Sequence, residues 1–196
     1  MKASFFKRLA AYLIDIIIVT MISNVITVGF KSEKYENAYN EYFDVINKYS
    51  MQEINTQEYL DTMAPVIYDM QEASIVISVI SLLTLIAYFV VFQYLNKGQT
   101  IGKKILKLRV LENDSEPSLK AIIIRTFIIN SIFTTLASVI LIYIANRNNY
   151  YSMYNVISTI EVIFVFITIL FILYRKDKLG LHDIIAKTKV IDERGN

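Results

Sequence analysis

Residues 98–104 read GQTIGKK, a combination of glycines, a threonine and two lysines that suggests phosphate binding. A P-loop requires four residues between its glycines and a Ser or Thr directly after its lysine, because that hydroxyl holds Mg²⁺. Here three residues separate Gly98 from Gly102, and Lys104 follows Lys103. A long apolar run also stands where a P-loop needs a buried strand. The spacing therefore argues against nucleotide binding.

Three ionisable side chains fall inside long apolar runs: Asp15, Arg125 and Glu161. Such groups cost roughly 2.5–3.5 kcal/mol each in a bilayer core, so they face other helices or water and usually pair. Asp15 and Arg125 lie at similar depths, and we predict an inter-helix ion pair that either fixes helix register or places a titratable carboxylate in an ion path. No basic residue matches the depth of Glu161, which predicts either a neutral, hydrogen-bonded acid or a carboxylate facing water.

The composition is that of a membrane protein. Hydrophobic residues make up 55% of the 196 residues and charged residues only 19%, below the roughly 25% of soluble domains. The chain has no cysteine and one histidine, which excludes disulfides, thiolate metal sites and histidine-cluster metal sites. A net charge of +2 gives no indication of a nucleic-acid partner. We find no catalytic motif and expect neither an enzyme nor a cofactor.

The apolar runs predict an all-α integral membrane protein with four transmembrane helices. About 20 mostly apolar residues cross a bilayer core of ~30 Å. The four segments that qualify are Leu9–Phe30, Ser74–Leu95, Ala121–Ile144 and Asn155–Tyr174. Lysine and arginine are concentrated before the first helix, in residues 96–120 and in residues 175–196. Because cytoplasmic segments carry the excess of these residues, both termini are predicted to be cytoplasmic.

Residues 31–73 are predicted to form an extracytoplasmic helical insertion. Aromatic and aliphatic residues recur there every three or four positions, which indicates two amphipathic helices. Ser50 with Glu53 and Asn55 with Glu58 have the spacing of capping boxes. The segment holds nine acidic and three basic residues. This excess is typical of a solvated polar face, and it also suits a cation-attracting or partner-binding surface.

The cytoplasmic elements 96–120 and 175–196 are predicted to pack together. Ile101, Ile105 and Leu108 have helical spacing with interleaved lysines, which indicates a short helix at the membrane surface. The stretches LRVLE and TKVID have the composition of strands and are predicted to pair as a small β-ribbon. We also expect Gln99, Thr100 and Lys103 to dock with Asp183 and the C-terminal segment.

Three blocks, RLAAYLID at 8–15, GQTIGKKILKLRV at 98–110 and LHDIIAKTKV at 181–190, resemble the RDD family of small multi-pass bacterial membrane proteins. The resemblance implies a single membrane domain over residues 1–196 in the bacterial cell membrane. Its motif residues fall on Arg8, Asp15, Gly98, Gln99, Thr100, Gly102, Lys103, Asp183 and Thr188, and Arg125 matches a further arginine of the family.

The resemblance, the intramembrane charges and the external segment 31–73 together suggest two alternative functions. Some RDD proteins have been proposed as cation/proton antiporters, which predicts monovalent cation/proton exchange here. Asp15 would bind the ion or proton, Arg125 would supply a counter-charge, Arg8 would gate and Glu161 would offer an outer proton site. Four helices are few for an aqueous pathway, so we expect a homo-oligomer. The alternative is a non-catalytic accessory or immunity-type protein that binds a partner membrane protein through residues 31–73 or the cytoplasmic face.

Overall fold

The computed structural model describes residues 2–30 and 32–195, with only the backbone of Gly195, and is mostly helical. Lys31, at the start of the predicted insertion, lies outside the described residues, as do the chain ends Met1 and Asn196. The helices are α1 Phe5–Thr27, α2 Glu33–Ser50, α3 Thr56–Ala73, α4 Ile75–Leu95, α5 Ile101–Ile105, α6 Leu119–Ile129, α7 Ile132–Ile144, α8 Tyr150–Tyr174 and α9 Leu181–Ile185. The strands are β1 Leu108–Glu112 and β2 Thr188–Asp192.

Three described helices, α1, α4 and α8, are each long and apolar enough to cross a membrane. Helices α6 and α7 form a bent pair with an angle of 72° between them, which makes a fourth span if the pair is counted as one. The prediction of one continuous helix over Ala121–Ile144 is therefore wrong. The helix stops because Ser131 adopts a left-handed conformation with φ of 53°, which an α-helix cannot contain.

Strands β1 and β2 pair antiparallel, with Leu108 opposite Asp192 and Glu112 opposite Thr188, which confirms the predicted ribbon. The N-terminal segment joins them, because the Ala3 N–H donates to the Val190 carbonyl at 3.1 Å. Leu108 therefore belongs to β1, and the predicted surface helix ends at Ile105. We call the part of the molecule around the two strands the strand end.

Helices α2 and α3 form an amphipathic hairpin at the opposite end, which we call the hairpin end. Val45, Met63 and Val66 make its small apolar core. The predicted capping box of Asn55 and Glu58 is present at the start of α3. The second predicted box, at Ser50, is wrong, because Ser50 is the last residue of α2 and its hydroxyl donates to the Ile46 carbonyl.

The chain runs back and forth between these two ends. Helix α1 starts beside β2 and leads to the hairpin, and α4 returns to α5 and β1. The bent pair α6–α7 leads back to the hairpin, where the Tyr68 hydroxyl donates to the Ile142 carbonyl. Helix α8 then carries the chain to α9 and β2. The first and last described residues thus meet at the strand end, which the charge distribution predicts to be cytoplasmic.

Candidate functional site

A buried cluster of charges lies at the strand end around Asp183. This side chain is completely buried on α9 and accepts hydrogen bonds from Arg8 Nη1 at 2.8 Å and from Arg125 Nη1. Gly180 directly precedes α9, and its N–H donates to the same carboxylate at 3.1 Å. Burial acts to raise the pKa of Asp183. That pKa nevertheless lies well below its ordinary value, because the carboxylate is stabilised by Arg125, by a hydrogen bond from His182 and by Arg8.

Arg125 pairs with Asp183 and not with Asp15. Its Nη1 also donates to the Thr188 hydroxyl at 2.9 Å, so two residues of the C-terminal segment hold it. The predicted ion pair between Asp15 and Arg125 is therefore wrong. The physical reason is that α9 packs against α6 and brings its own carboxylate to the arginine.

Asp15 instead binds the GQTIGKK loop. Its buried carboxylate accepts from the Tyr88 hydroxyl at 2.6 Å, the Thr100 hydroxyl at 2.5 Å and the Gly102 N–H at 2.7 Å. Tyr88 lies in a π-helical turn of α4, a distortion found often at functional sites. Two of the three donors come from the start of α5, where backbone N–H groups have no partner within the helix. The carboxylate thus joins α1, α4 and α5.

The two glycines of the loop are required by close backbone approaches. A Cβ atom on Gly102 would lie 2.2 Å from the Ala11 carbonyl oxygen. Gly98 has φ of 87°, and a Cβ there would lie 2.4 Å from the Val110 carbonyl oxygen. These glycines let the loop pack directly on α1 and β1, which agrees with the argument against a P-loop.

The other polar residues of the loop divide between two partners. Gln99 reaches the C-terminal segment, because its Nε2 donates to Glu193 Oε2 at 3.1 Å. The same Nε2 also donates to the Leu108 carbonyl of β1 at 2.8 Å. Thr100 binds Asp15, so the expected docking of Thr100 with Asp183 is wrong. Lys103 Nζ donates to the Thr100 hydroxyl at 3.3 Å rather than to Asp183.

Lys103 is half-buried beside the charge cluster. Burial lowers the pKa of its ammonium to about 8. The nearby carboxylate of Asp15 opposes this shift, and the positive charge of Arg125 adds to it. A fraction of Lys103 is therefore neutral near physiological pH.

Glu161 lies in a second place, a polar cavity of about 430 Å³ between α4, α7 and α8. Its lining residues are Gln71, Ser78, Ser131, Thr134, Thr135, Ser138, Tyr154, Ser158, Glu161, Val162 and Val165, among which none is basic. Glu161 Oε2 accepts from the Thr134 N–H at 3.2 Å. Glu161, which was expected to lack a charged partner, thus binds one of the free N–H groups at the start of α7.

Sequence reasoning did not find this cavity because it depends on the break between α6 and α7. The signal present in the sequence is the polar pair Asn130–Ser131, followed closely by Thr134 and Thr135, inside an otherwise apolar run. Small hydroxyl residues at such positions are also common where membrane helices pack closely, so the sequence alone does not indicate a break. Their actual effect is to end one helix and to open hydroxyl-lined space beside the next.

A model of the RDD family matches residues 2–187. The chain belongs to the RDD family. No curated protein and no solved structure matches it. In this RDD membrane protein, the motif residues Arg8, Asp183 and Thr188 meet in the cluster around Arg125. The motif residues Asp15, Thr100 and Gly102 meet in the neighbouring cluster. The blocks that carry the resemblance are therefore brought together at the strand end.

Proposed function

We propose that this RDD protein exchanges a monovalent cation for protons across the bacterial cell membrane, with Glu161 as the residue that binds both. The observation that carries the proposal is a carboxylate in a cavity lined by hydroxyl groups and by no basic side chain. Ionisable residues within membrane spans mark ion and proton pathways by default. Carboxylate and hydroxyl oxygens are also suitable ligands for a cation.

Exchange requires that a proton and a cation compete for one group. Among the described residues, the Thr134 N–H is the one hydrogen-bond donor to Glu161, and it engages Oε2. The other carboxylate oxygen is therefore available to take a proton or to bind a cation. Surrounding hydroxyls of Thr135 and Ser158 supply further oxygen ligands, since both residues line the cavity.

We assign a different task to the carboxylates at the strand end. Asp15 holds α5 against α1, and Asp183 pairs with both Arg8 and Arg125. Together they close this end of the bundle. An ion pathway through the protein therefore requires either that this closure loosens or that a second copy of the chain completes the pathway. We propose that a second copy completes the pathway, and hence that the protein is a homo-oligomer.

The test is proton flux in proteoliposomes that hold a pH gradient. Addition of Na⁺, Li⁺ or K⁺ should release protons, as followed with a pH-sensitive dye. Glu161→Gln keeps an oxygen acceptor for the Thr134 N–H, so it should fold normally and reduce cation-dependent flux at least tenfold. Glu53→Gln, a matched change at an exposed acid of the hairpin, should leave the flux unchanged. Equal flux in the two variants would exclude Glu161 as the exchange site.

A second candidate function is the accessory role, in which the hairpin binds a partner membrane protein. The observation that favours it is an aromatic stripe on α2, where Tyr39, Phe43 and Tyr49 are each 40–44% exposed. Exposed aromatic side chains are enriched at protein interfaces. If folded wild-type protein gives no flux, the accessory role takes precedence. Co-purification of one defined partner that is lost in Tyr39→Ala/Phe43→Ala but kept in Glu53→Gln would then support it.

A further inference from the structure

The strand end contains another cavity, of about 300 Å³, between α1 and α8. Its lining includes the apolar side chains of Leu9, Val165 and Ile169, which we call the apolar wall, and the basic side chains of Arg8, Lys103 and Arg125, which we call the basic end. We propose that this cavity binds an anionic phospholipid, with the start of an acyl chain along the apolar wall and the phosphate at the basic end. Basic pockets between membrane helices recognise anionic headgroups in this way.

In the described part of the chain, the three cations of the basic end face two carboxylates, Asp15 and Asp183. Asp183 divides its two oxygens between Arg8 and Arg125. Asp15 is occupied by two hydroxyls and a backbone N–H. Within the described residues, the ammonium of Lys103 forms no ion pair, and its hydrogen-bond acceptor is the Thr100 hydroxyl. A phosphate beside Lys103 would neutralise this charge in a region where burial makes an unpaired charge costly.

Three buried polar atoms of the cavity residues also have no hydrogen-bond partner among the residues that the structure describes: Arg8 Nε, His182 Nδ1 and Thr168 Oγ1. The His182 and Thr168 residues are each 4% exposed. Buried polar atoms in proteins almost always have a hydrogen-bond partner, so these three indicate a polar ligand or bound water. The Nε–H of Arg8 is a donor, which suits a phosphate oxygen.

The histidine adds information about the ligand. His182 Nε2 lies 3.3 Å from the ionised Asp183 carboxylate and is therefore the protonated nitrogen. Burial lowers the pKa of His182, so the ring is neutral and Nδ1 is a hydrogen-bond acceptor. An acceptor beside a basic group suits a headgroup that combines a phosphate with hydroxyls, such as that of phosphatidylglycerol.

The apolar wall of the cavity includes a residue at the surface of the bundle. Leu9 lines it and is 39% exposed, and Leu13, one turn further along α1, is 52% exposed. A volume of about 300 Å³ is at the small end for ligand pockets, which limits the buried part to the headgroup region and the first methylene groups. The rest of the acyl chains would remain in the surrounding bilayer.

The experiment is a lipid titration of the full-length protein in detergent, followed by native mass spectrometry. Phosphatidylglycerol should bind in preference to phosphatidylcholine with the same acyl chains. Lys103→Gln should weaken phosphatidylglycerol binding about fivefold and leave phosphatidylcholine unchanged, as expected for the loss of one lysine near a headgroup. Lys104→Gln is the matched control, because Lys104 is adjacent and exposed. It should have no effect.

Ile169→Trp gives an independent test, since it fills the apolar wall and leaves every charge in place. It should weaken phosphatidylglycerol binding to a similar extent. Equal effects of Lys103→Gln and Lys104→Gln would show general surface attraction and overturn the site. Binding of inorganic phosphate with the affinity of the lipid would overturn the assignment of an acyl chain. Equal binding of the two lipids would overturn the proposal as a whole.

Discussion

Replacing Asp183 by asparagine tests whether the cluster at the strand end holds the fold together. The substitution keeps the size of the side chain and removes the negative charge that Arg8 and Arg125 share. Asp183 is 0% exposed, so water cannot replace the carboxylate without a rearrangement. Removing one partner of a buried ion pair costs about 3–5 kcal/mol, because the remaining charge stays buried without compensation.

This cost predicts a large change in the melting temperature. For a chain of this size, 1 kcal/mol corresponds to about 2–4 °C, so Asp183→Asn should lower the Tm by roughly 6–20 °C. The chain has no tryptophan, and circular dichroism in detergent is the suitable measurement. Asp177→Asn is the matched control six residues earlier. Asp177 pairs with an exposed arginine, and its loss should move the Tm by less than about 2 °C.

The same carboxylate predicts a dependence on pH. Because the pKa of folded Asp183 is depressed, its contribution to stability is present above its ordinary value of 3.8 and is lost as the pH falls below that value. Wild type should therefore lose Tm more steeply than Asp183→Asn below about pH 4. If Asp183→Asn melts within about 2 °C of Asp177→Asn, the cluster does not stabilise the fold as argued.

Three further predictions concern the residues around the loop. Gly102→Ala should destabilise the protein by about 1–3 kcal/mol, because the new Cβ atom would overlap the Ala11 carbonyl. Gly29→Ala is the control and should not destabilise the protein, since a Cβ atom there would have no atom of the described residues within 4 Å. Thermal melts of the two variants make the comparison. Tyr88→Phe should cost about 1.5–3 kcal/mol through the lost hydrogen bond to a carboxylate, and an unchanged Tm would contradict that bond. NMR titration of ¹³C-methylated lysines should show one resonance that titrates with a pKa of about 8. Loss of that resonance in Lys103→Gln would assign it to Lys103.

The features predicted from the sequence are those that depend on local pattern. The strand pair of LRVLE and TKVID is predicted by the strand composition of both stretches, and the structure confirms it. The two helices α2 and α3 are predicted by aromatic spacing and by the capping box at Asn55, whereas their pairing as a hairpin is seen only in the structure. The apolar runs indicated the three long membrane helices because length and hydropathy alone decide that class.

The features that were missed depend on tertiary packing. Depth along the helices made Arg125 a reasonable partner for Asp15, but depth gives no information about which helix faces which. Arg125 binds Asp183 of the C-terminal helix α9. Asp15 binds Thr100 and Gly102, which follow α4. The break at Ser131 was missed because it contains neither proline nor glycine, the usual signals for the end of a helix.

The order of Arg8, Arg125 and Asp183 along the chain has a consequence for biosynthesis. Synthesis proceeds from the N-terminus, so Arg8 and Arg125 are made before Asp183, the residue that pairs with both. β1 and the N-terminal segment likewise wait for β2, because Ala3 and Leu108–Glu112 bond to residues 188–192. The strand end therefore closes only after β2 has been synthesised, because β2 supplies the partners of β1 and of Ala3.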